Sequence, residues 1–174
     1  MNRSLRVALG WIVVIALFII AFFIFRTNLQ RSAVRNAPLG ARAQDVRLTG
    51  LDAKPTALSA YLGHPLWVNF FATWCGPCKA ELPEIELRYV KYRSRGLVVL
   101  GVDEQEDVSL VKPFVRRMHV SFPVTIDASG EATLKYHVAA IPTSVFIGAD
   151  GNVKALHIGE MSPQNMDEDL RKIL

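Results

Sequence analysis

Cysteine is scarce in this chain of 174 residues, which holds only Cys75 and Cys78, three positions apart. A structural zinc site needs four Cys or His ligands, and the histidines are scattered through the sequence at His64, His119, His137 and His157. A structural disulfide between two such close residues would close a very short loop and add little stability. The scarcity of cysteine therefore argues against a structural zinc site and favours a redox-active Cys-x-x-Cys pair.

The chain also lacks internal repeats, low-complexity tracts and any basic patch with interleaved aromatic residues. Its net charge is +4, but residues 1–47 hold seven arginines and one acid, a charge of +6 that leaves −2 for residues 48–174. The net positive charge and the basic pI thus belong to the N-terminal part and not to the domain that follows. We expect no nucleic-acid partner, since nucleic-acid binding needs a basic face on the folded domain.

The two cysteines follow an apolar, β-favouring run, Leu66–Phe71, and a short connection. After Cys75 the pattern turns helical, with apolar residues at three- and four-residue intervals at Leu82, Ile85, Tyr89 and Val90. This arrangement predicts a helix that begins at the first cysteine. Similar patterns predict further strands at 46–48, 97–102, 123–126, 144–147 and 153–158, and helices at 57–62, 108–118, 131–136 and after Ser162.

A cysteine at a helix N-terminus is stabilised as a thiolate by unpaired backbone N–H groups and by the helix dipole. We therefore expect Cys75 to be the attacking nucleophile and the more shielded Cys78 to be the resolving thiol. Gly76 would allow a tight turn between them, and Pro77 suits a first-turn position because it has no N–H to lose.

Residues 7–25 carry no charge and are bounded by Arg6 and Arg26. Nineteen helical residues nearly span a hydrocarbon core of about 30 Å, so we predict one transmembrane helix acting as an uncleaved signal-anchor. A cleaved signal peptide is the alternative, although the A-x-A-like Ala41-Arg42-Ala43 lies far beyond the apolar core. The predicted organisation is a tail at 1–6, the anchor at 7–25, a flexible basic linker at 26–44 and one domain at 45–174.

The charges beside the predicted anchor do not fix its orientation. Two arginines precede the span and four follow it before residue 45, which by the positive-inside rule would place the domain in the cytoplasm. That rule applies best to short loops, however, and here a long domain follows. The arginines of the linker either contact anionic lipid headgroups or keep the linker solvated.

The segment Val68 to Glu84, with the motif Trp74-Cys75-Gly76-Pro77-Cys78 inside it, resembles the active-site region of thioredoxin-fold proteins, most closely the membrane-anchored TlpA/ResA branch. Ile141-Pro142-Thr143 resembles the cis-proline loop of that family, and Asp103–Asp127 its central insert. Pro83 and the hairpin turn at 149–152 extend the resemblance over roughly residues 45–174.

The resemblance implies an α/β thioredoxin fold: a central mixed sheet flanked by helices, with an N-terminal strand extension, a central insert and a preceding transmembrane helix. It implies a thiol-disulfide oxidoreductase, most simply a protein-disulfide reductase, whose domain lies on the extracytoplasmic side of a cytoplasmic-type membrane. The expected partners are protein disulfides, with apocytochrome c (cytochrome c biogenesis) as the family's suggestion, and an upstream membrane dithiol donor. No cofactor beyond the cysteine pair is expected.

Thioredoxins carry a buried aspartate six residues before the first cysteine, where this chain has Asn69, which accepts no proton at ordinary pH. In ResA-like members a glutamate three after the second cysteine is implicated in redox function, and Glu81 holds that position. Glu81 could equally be a solvated helix carboxylate. The resemblance also implies that Trp74 frames the reactive sulfur and that Ile141, Pro142 and Thr143 align an extended substrate.

Three other activities remain as alternatives. The same fold serves oxidases that introduce disulfides, because direction depends on reduction potential. A copper- or haem-protein assembly chaperone could use the dithiol as a ligand pair. A thiol peroxidase fits less well, since Thr73 is only two residues before Cys75 and the expected Thr-x-x-Cys site is not formed.

Overall fold

The computed structural model describes residues 19–22 and 39–174. Residues 19–22 are helical, whereas the rest of the predicted anchor, the tail and nearly all of the linker lie outside the described residues. Among the residues that are described, no helix is both long and apolar enough to cross a membrane. The chain divides into a unit of residues 1–37 and a compact unit from Pro38 to Leu174, and the second unit carries the site.

Seven strands and four α-helices build this second unit. The strands are β1 (Arg47–Gly50), β2 (Pro55–Ala57), β3 (Leu66–Phe71), β4 (Val98–Asp103), β5 (Val124–Ile126), β6 (Thr143–Ile147) and β7 (Val153–Ile158). The helices are α1 (Gly76–Tyr92), α2 (Val108–Arg117), α3 (Glu131–Lys135) and α4 (Pro163–Leu170), with short 3₁₀ turns at Leu58–Tyr61 and Arg93–Arg95.

The strands form one mixed sheet in the order β2-β1-β5-β4-β3-β6-β7. β3, β4 and β5 run parallel, and β6 pairs antiparallel with β3 on one side and with β7 on the other. The expected α/β fold with a central mixed sheet is confirmed. The sheet has a carboxyl edge, where β3, β4, β5 and β7 end, and an amino edge, where they begin.

Strand β3 shows how the sequence separates two cores. Its residues alternate across the sheet, as strand geometry requires. Trp67 and Phe71 join the core beneath α1, α2 and α4, which also contains both cysteines. Val68 and Phe70 join the core on the other face, beneath α3. Burial on both faces explains why the strand is a continuous apolar run interrupted only by Asn69.

Strand β2 was not expected, because Pro55 and its neighbours have the composition of a turn. The segment is nevertheless paired, antiparallel to β1, at the edge of the sheet. A proline is compatible with an edge strand, where its missing N–H need not serve the ladder. With β1 it forms the predicted N-terminal strand extension, and the predicted insert at 103–127 forms α2 and β5.

Candidate active site

The two cysteines lie at the carboxyl edge, at the start of α1. Cys75 is the N-cap residue, and its Sγ accepts a hydrogen bond of 3.2 Å from the backbone N–H of Cys78. The two sulfurs are joined in a disulfide. Cys75 is 5% exposed and Cys78 is fully buried. The sulfur with residual access to solvent is therefore the one that receives a backbone N–H of the first helical turn, and this is the arrangement that favours its thiolate.

The surface around the disulfide is open. Trp74 is 67% exposed, and Gly76 and Pro77 are also exposed. A Cβ atom on Gly76 would meet nothing within 4 Å, and Gly76 is not among the residues with positive φ. Gly76 belongs to the first turn of α1, so no positive φ requires a glycine there. Its missing side chain leaves free space beside the sulfurs instead.

The loop before β6 reaches both cores through Ile141, including the core that contains the cysteines. The Ile141–Pro142 peptide bond is cis, and Ile141 is half-buried against the cluster that contains Cys75 and Cys78. Pro142 is buried, and its carbonyl accepts a 2.8 Å hydrogen bond from the Gly159 N–H. The Thr143 hydroxyl donates to the Ala140 carbonyl at 2.6 Å. The loop is thus held from both sides.

Glu81 is not a solvated helix carboxylate. It is 2% exposed, one turn after Cys78 on the same helix. Its Oε1 accepts from Asn69 Nδ2 at 2.8 Å, and its Oε2 accepts from the Met161 N–H at 3.1 Å. Burial raises the pKa of Glu81 to about 7 although both hydrogen bonds lower it, and Glu160 contributes a further rise. A carboxyl with such a pKa exchanges its proton near neutral pH.

Asn69 connects Glu81 to the rest of the sheet. Its Nδ2 also donates to Ser144 Oγ at 3.2 Å, and the same hydroxyl accepts from Trp67 Nε1 at 2.9 Å. The Oδ1 atom of Asn69 is buried and has no hydrogen-bond partner among the described residues. The amide therefore presents both N–H groups to acceptors, one of them the Oε1 atom of Glu81.

A second acidic group braces the segment before the cysteines. The backbone N–H and the hydroxyl of Thr73 both donate to the carboxylate of Glu106, the latter at 2.7 Å. The Glu106 N–H in turn donates to Asp103 Oδ1 at 3.0 Å. Burial, together with the neighbouring Glu106, raises the pKa of Asp103 above its ordinary value.

The sequence analysis did not single out Asp103, Glu106 or Ser144. A signal for the first two was present, since an acidic run follows β4, and the carboxyl ends of adjacent parallel strands meet at one edge. Ser144 carries no such signal, because its contact with Asn69 joins residues that lie 75 positions apart.

Comparison with known proteins agrees with this site. A model of the Redoxin family matches residues 38–174. The chain belongs to the Redoxin family. It is 36% identical over 135 residues, 78% of each chain, to the thiol-disulfide oxidoreductase ResA of Bacillus thuringiensis subsp. konkukian. It is 29% identical over 175 residues, 99% of each chain, to ResA of Geobacillus kaustophilus.

Solved structures show the same relationship. A thiol:disulfide interchange protein of the thioredoxin family from Chlorobium tepidum has a TM-score of 0.67 and 29% identity, covering 78% of this chain and 96% of that one. This Redoxin-family chain therefore has the thioredoxin-like fold of the TlpA/ResA type. It is a protein thiol-disulfide oxidoreductase.

Proposed function

We propose that this Redoxin-family protein is a membrane-anchored reductase of disulfides in extracytoplasmic proteins, with apocytochrome c as the candidate substrate and a membrane dithiol protein as its electron donor. The observation that carries the proposal is the asymmetry of the pair: Cys75 at the N-cap with residual exposure, and Cys78 fully buried one turn from a buried carboxyl. The ResA relatives and the uncharged segment at 7–25 support the location.

The reaction transfers two electrons from the dithiol to the partner. The Cys75 thiolate attacks one sulfur of the partner's disulfide, forming a mixed disulfide and releasing the partner's other sulfur as a thiolate that takes up a proton. Cys78 then loses its proton and attacks Cys75 Sγ, which re-forms the Cys75–Cys78 bond and releases the second partner thiolate.

Glu81 is the residue we assign to the proton of Cys78. A buried thiol resists ionisation, so resolution at neutral pH needs a nearby base of similar proton affinity. Glu81 lies one turn along α1, and its pKa is raised to about 7 by burial. Asn69 and the Met161 N–H donate to its two oxygens. These contacts stabilise the carboxylate form, which receives the proton of Cys78, and keep it in a fixed position.

The exposed surface beside the sulfurs fits an extended protein substrate. Trp74 offers a large apolar face, Gly76 and Pro77 leave space, and the loop at Ile141–Thr143 lies against the same core. We assign Trp74, Gly76, Pro77, Ile141, Pro142 and Thr143 to substrate binding.

The test is a trap. Cys78→Ser retains Cys75 but removes the resolving thiol, so the reduced variant should accumulate a mixed disulfide with its substrate in native membranes, releasable by dithiothreitol. Cys75→Ser is the matched control and should trap nothing, because its remaining cysteine is buried. If the Cys78→Ser variant still completed disulfide reduction without accumulating a partner, the assignment of roles would be wrong.

The direction of electron transfer needs its own measurement, since an oxidase would use the same two cysteines. A reduction potential well below that of the compartment supports the reductase, whereas one well above it supports the oxidase.

A further inference from the structure

The basic side chains of the folded unit are distributed very unevenly. Among the described residues, six lysines and arginines form ion pairs with carboxylates. Seven exposed ones form none and lie at the amino edge of the sheet: Arg42, Lys91, Arg93, Arg95, Arg116, Arg117 and Arg171. We call these seven residues the basic pole. In the same part of the chain, only Lys79 and Lys112 are unpaired elsewhere.

The topology brings these residues together. α1, α2 and α4 each follow a strand that ends at the carboxyl edge, so each helix runs back and ends at the amino edge. The end of α1 contacts the loop after α2, where Glu86 accepts hydrogen bonds from Ser121 and Tyr89 packs edge-on against Phe122. On its other side α1 meets the end of α4, since Tyr92, Arg95 and Arg171 line one cleft.

The chain enters the folded unit at the same edge. The Gly40 N–H donates to the Val153 carbonyl and the Ala43 N–H donates to the Gly151 carbonyl, each at 2.8 Å. Gly151 belongs to the β6–β7 hairpin, whose strand β6 ends opposite Leu66, the first residue of β3. The first described residues of the folded unit therefore lie beside the basic pole and not beside the cysteines.

Acidic residues show the opposite distribution. At the amino edge Asp150 and Asp169 are each neutralised by a lysine at 2.6 Å. Most carboxyl groups without an ion-pair partner follow the strand ends at the carboxyl edge, around the active site: Glu81, Asp103, Glu104, Glu106, Asp107, Asp127 and Glu160. Glu86 and Glu168, on α1 and α4, lie outside this group. Residues 48–174 carry a net charge of only −2. Their positive and negative side chains are nevertheless separated, with a basic pole at one edge and an acidic active-site edge at the other.

We propose that the basic pole docks on an anionic phospholipid surface and so turns the disulfide away from the membrane. Basic side chains near a helix C-terminus also interact favourably with the helix dipole, but Arg42 lies outside any helix and still falls at this edge. Clusters of several basic residues beside a membrane attachment bind anionic headgroups. This inference depends on the membrane attachment in the proposed function, and the experiment below separates the two.

Two lysines on one helix provide an internal comparison. Lys91 belongs to the basic pole and Lys79 lies beside the cysteines; both are exposed. They are twelve residues apart on α1, about 18 Å along the helix axis. The full chain would be placed in nanodiscs of phosphatidylglycerol mixed with phosphatidylcholine, or of phosphatidylcholine alone, and treated with an amine-reactive reagent. Mass spectrometry gives the ratio of Lys91 to Lys79 modification.

We expect the ratio of Lys91 to Lys79 modification to fall about fivefold or more in the anionic nanodiscs. A single basic residue at an anionic surface strengthens membrane binding by about this factor. Salt of about 1 M should restore it, because the Debye length is then only about 3 Å. Arg93→Gln combined with Arg95→Gln should weaken the protection. Arg47→Gln combined with Lys135→Gln also removes two positive charges, but from residues outside the basic pole. This control should leave the protection of Lys91 unchanged.

The outcomes separate the two proposals. If the chain enters both kinds of nanodisc but shows the same modification ratio in each, the proposed anchor stands and the proposed docking is overturned. Protection of Lys79 instead of Lys91 also overturns it, as does protection in anionic nanodiscs that salt does not relieve. Protection that appears only when a membrane extract supplies protein identifies an acidic protein partner and contradicts the lipid assignment. A chain that enters neither nanodisc overturns both the anchor and the docking.

Discussion

At the scale of single residues, Glu81 links stability to pH. In the unfolded chain its carboxyl has an ordinary pKa near 4.5, and in the folded protein burial raises that pKa to about 7. The folded state therefore binds this proton more tightly, and its contribution to stability is full below pH 4.5 and is lost as pH rises towards 7. The shift corresponds to about 3 kcal/mol at most.

We predict that Glu81→Gln abolishes the loss of stability that Glu81 causes as pH rises towards 7, because an amide does not ionise. The free energy of unfolding of the oxidised variant, measured with urea, should exceed that of the parent by up to about 3 kcal/mol at pH 8. The advantage should disappear near pH 4.5. Asn69 Oδ1, which lacks a partner, can accept from the new amide if the Asn69 side chain turns over. Glu168→Gln, at an exposed site, should leave the pH dependence unchanged.

The same variant tests the proposed role of Glu81 in the reaction. Without the carboxylate, resolution of a preformed mixed disulfide by Cys78 should slow by about 10²-fold at pH 7, the lower range for general base catalysis. It should then recover with rising pH as hydroxide replaces the base. An unchanged resolution rate together with the predicted change in stability would leave Glu81 a structural residue only.

At the scale of elements, Arg88 joins α1 to the start of α4. Its guanidinium donates to Asp167 at 2.8 Å, to the Glu84 carboxylate at 2.7 Å and to the carbonyls of Glu84 and Pro163 at 2.9 Å. The arginine is 8% exposed, whereas both carboxylates remain in contact with solvent. This contact fixes the segment just before α4, where the Met161 N–H binds Glu81.

We predict that Arg88→Met lowers the free energy of unfolding by about 2–4 kcal/mol, since it removes several charge-assisted hydrogen bonds in a mostly buried position. Arg47→Met removes an ion pair of an arginine whose side chain is 89% exposed, and it should cost less than about 1 kcal/mol. Urea unfolding at pH 7 measures both. Equal losses for the two variants would show that Arg88 does not clamp the helices.

Periodicity was sufficient to predict the elements that carry the cysteines. The limits of β3 and β7 match the predicted strands, because each is a clear run between turn residues. The short strand β2 was missed, since its conformation depends on pairing with β1 at the sheet edge and not on its own composition. The contacts of Glu106 and Ser144 join distant parts of the chain and are likewise set by the tertiary fold.

At the scale of the whole molecule, the charge separation predicts how substrates approach. The solvent-accessible carboxylates of the carboxyl edge, among them Glu104 and Glu160, create a negative potential near the disulfide. Charged clefts raise the encounter rate of ligands of opposite sign by about 10–10³-fold at low ionic strength. A disulfide peptide flanked by lysines should therefore be reduced with a higher kcat/KM than the same peptide flanked by glutamates. The difference should be about tenfold or more at low salt and should nearly vanish in about 1 M salt.

Variants at the two edges locate the source of this preference. Glu104→Gln combined with Glu160→Gln removes two acids beside the active site and should reduce the preference for the cationic peptide. Glu86→Gln combined with Glu168→Gln removes as many charges from α1 and α4 away from the disulfide and should preserve it. Dividing each rate by that for a small neutral disulfide removes any effect on the thiols themselves, including the influence of Glu160 on the pKa of Glu81. A preference that persisted both in the first variant and in about 1 M salt would place the selectivity in direct contacts such as those of Trp74, because salt-independent discrimination requires short-range interactions.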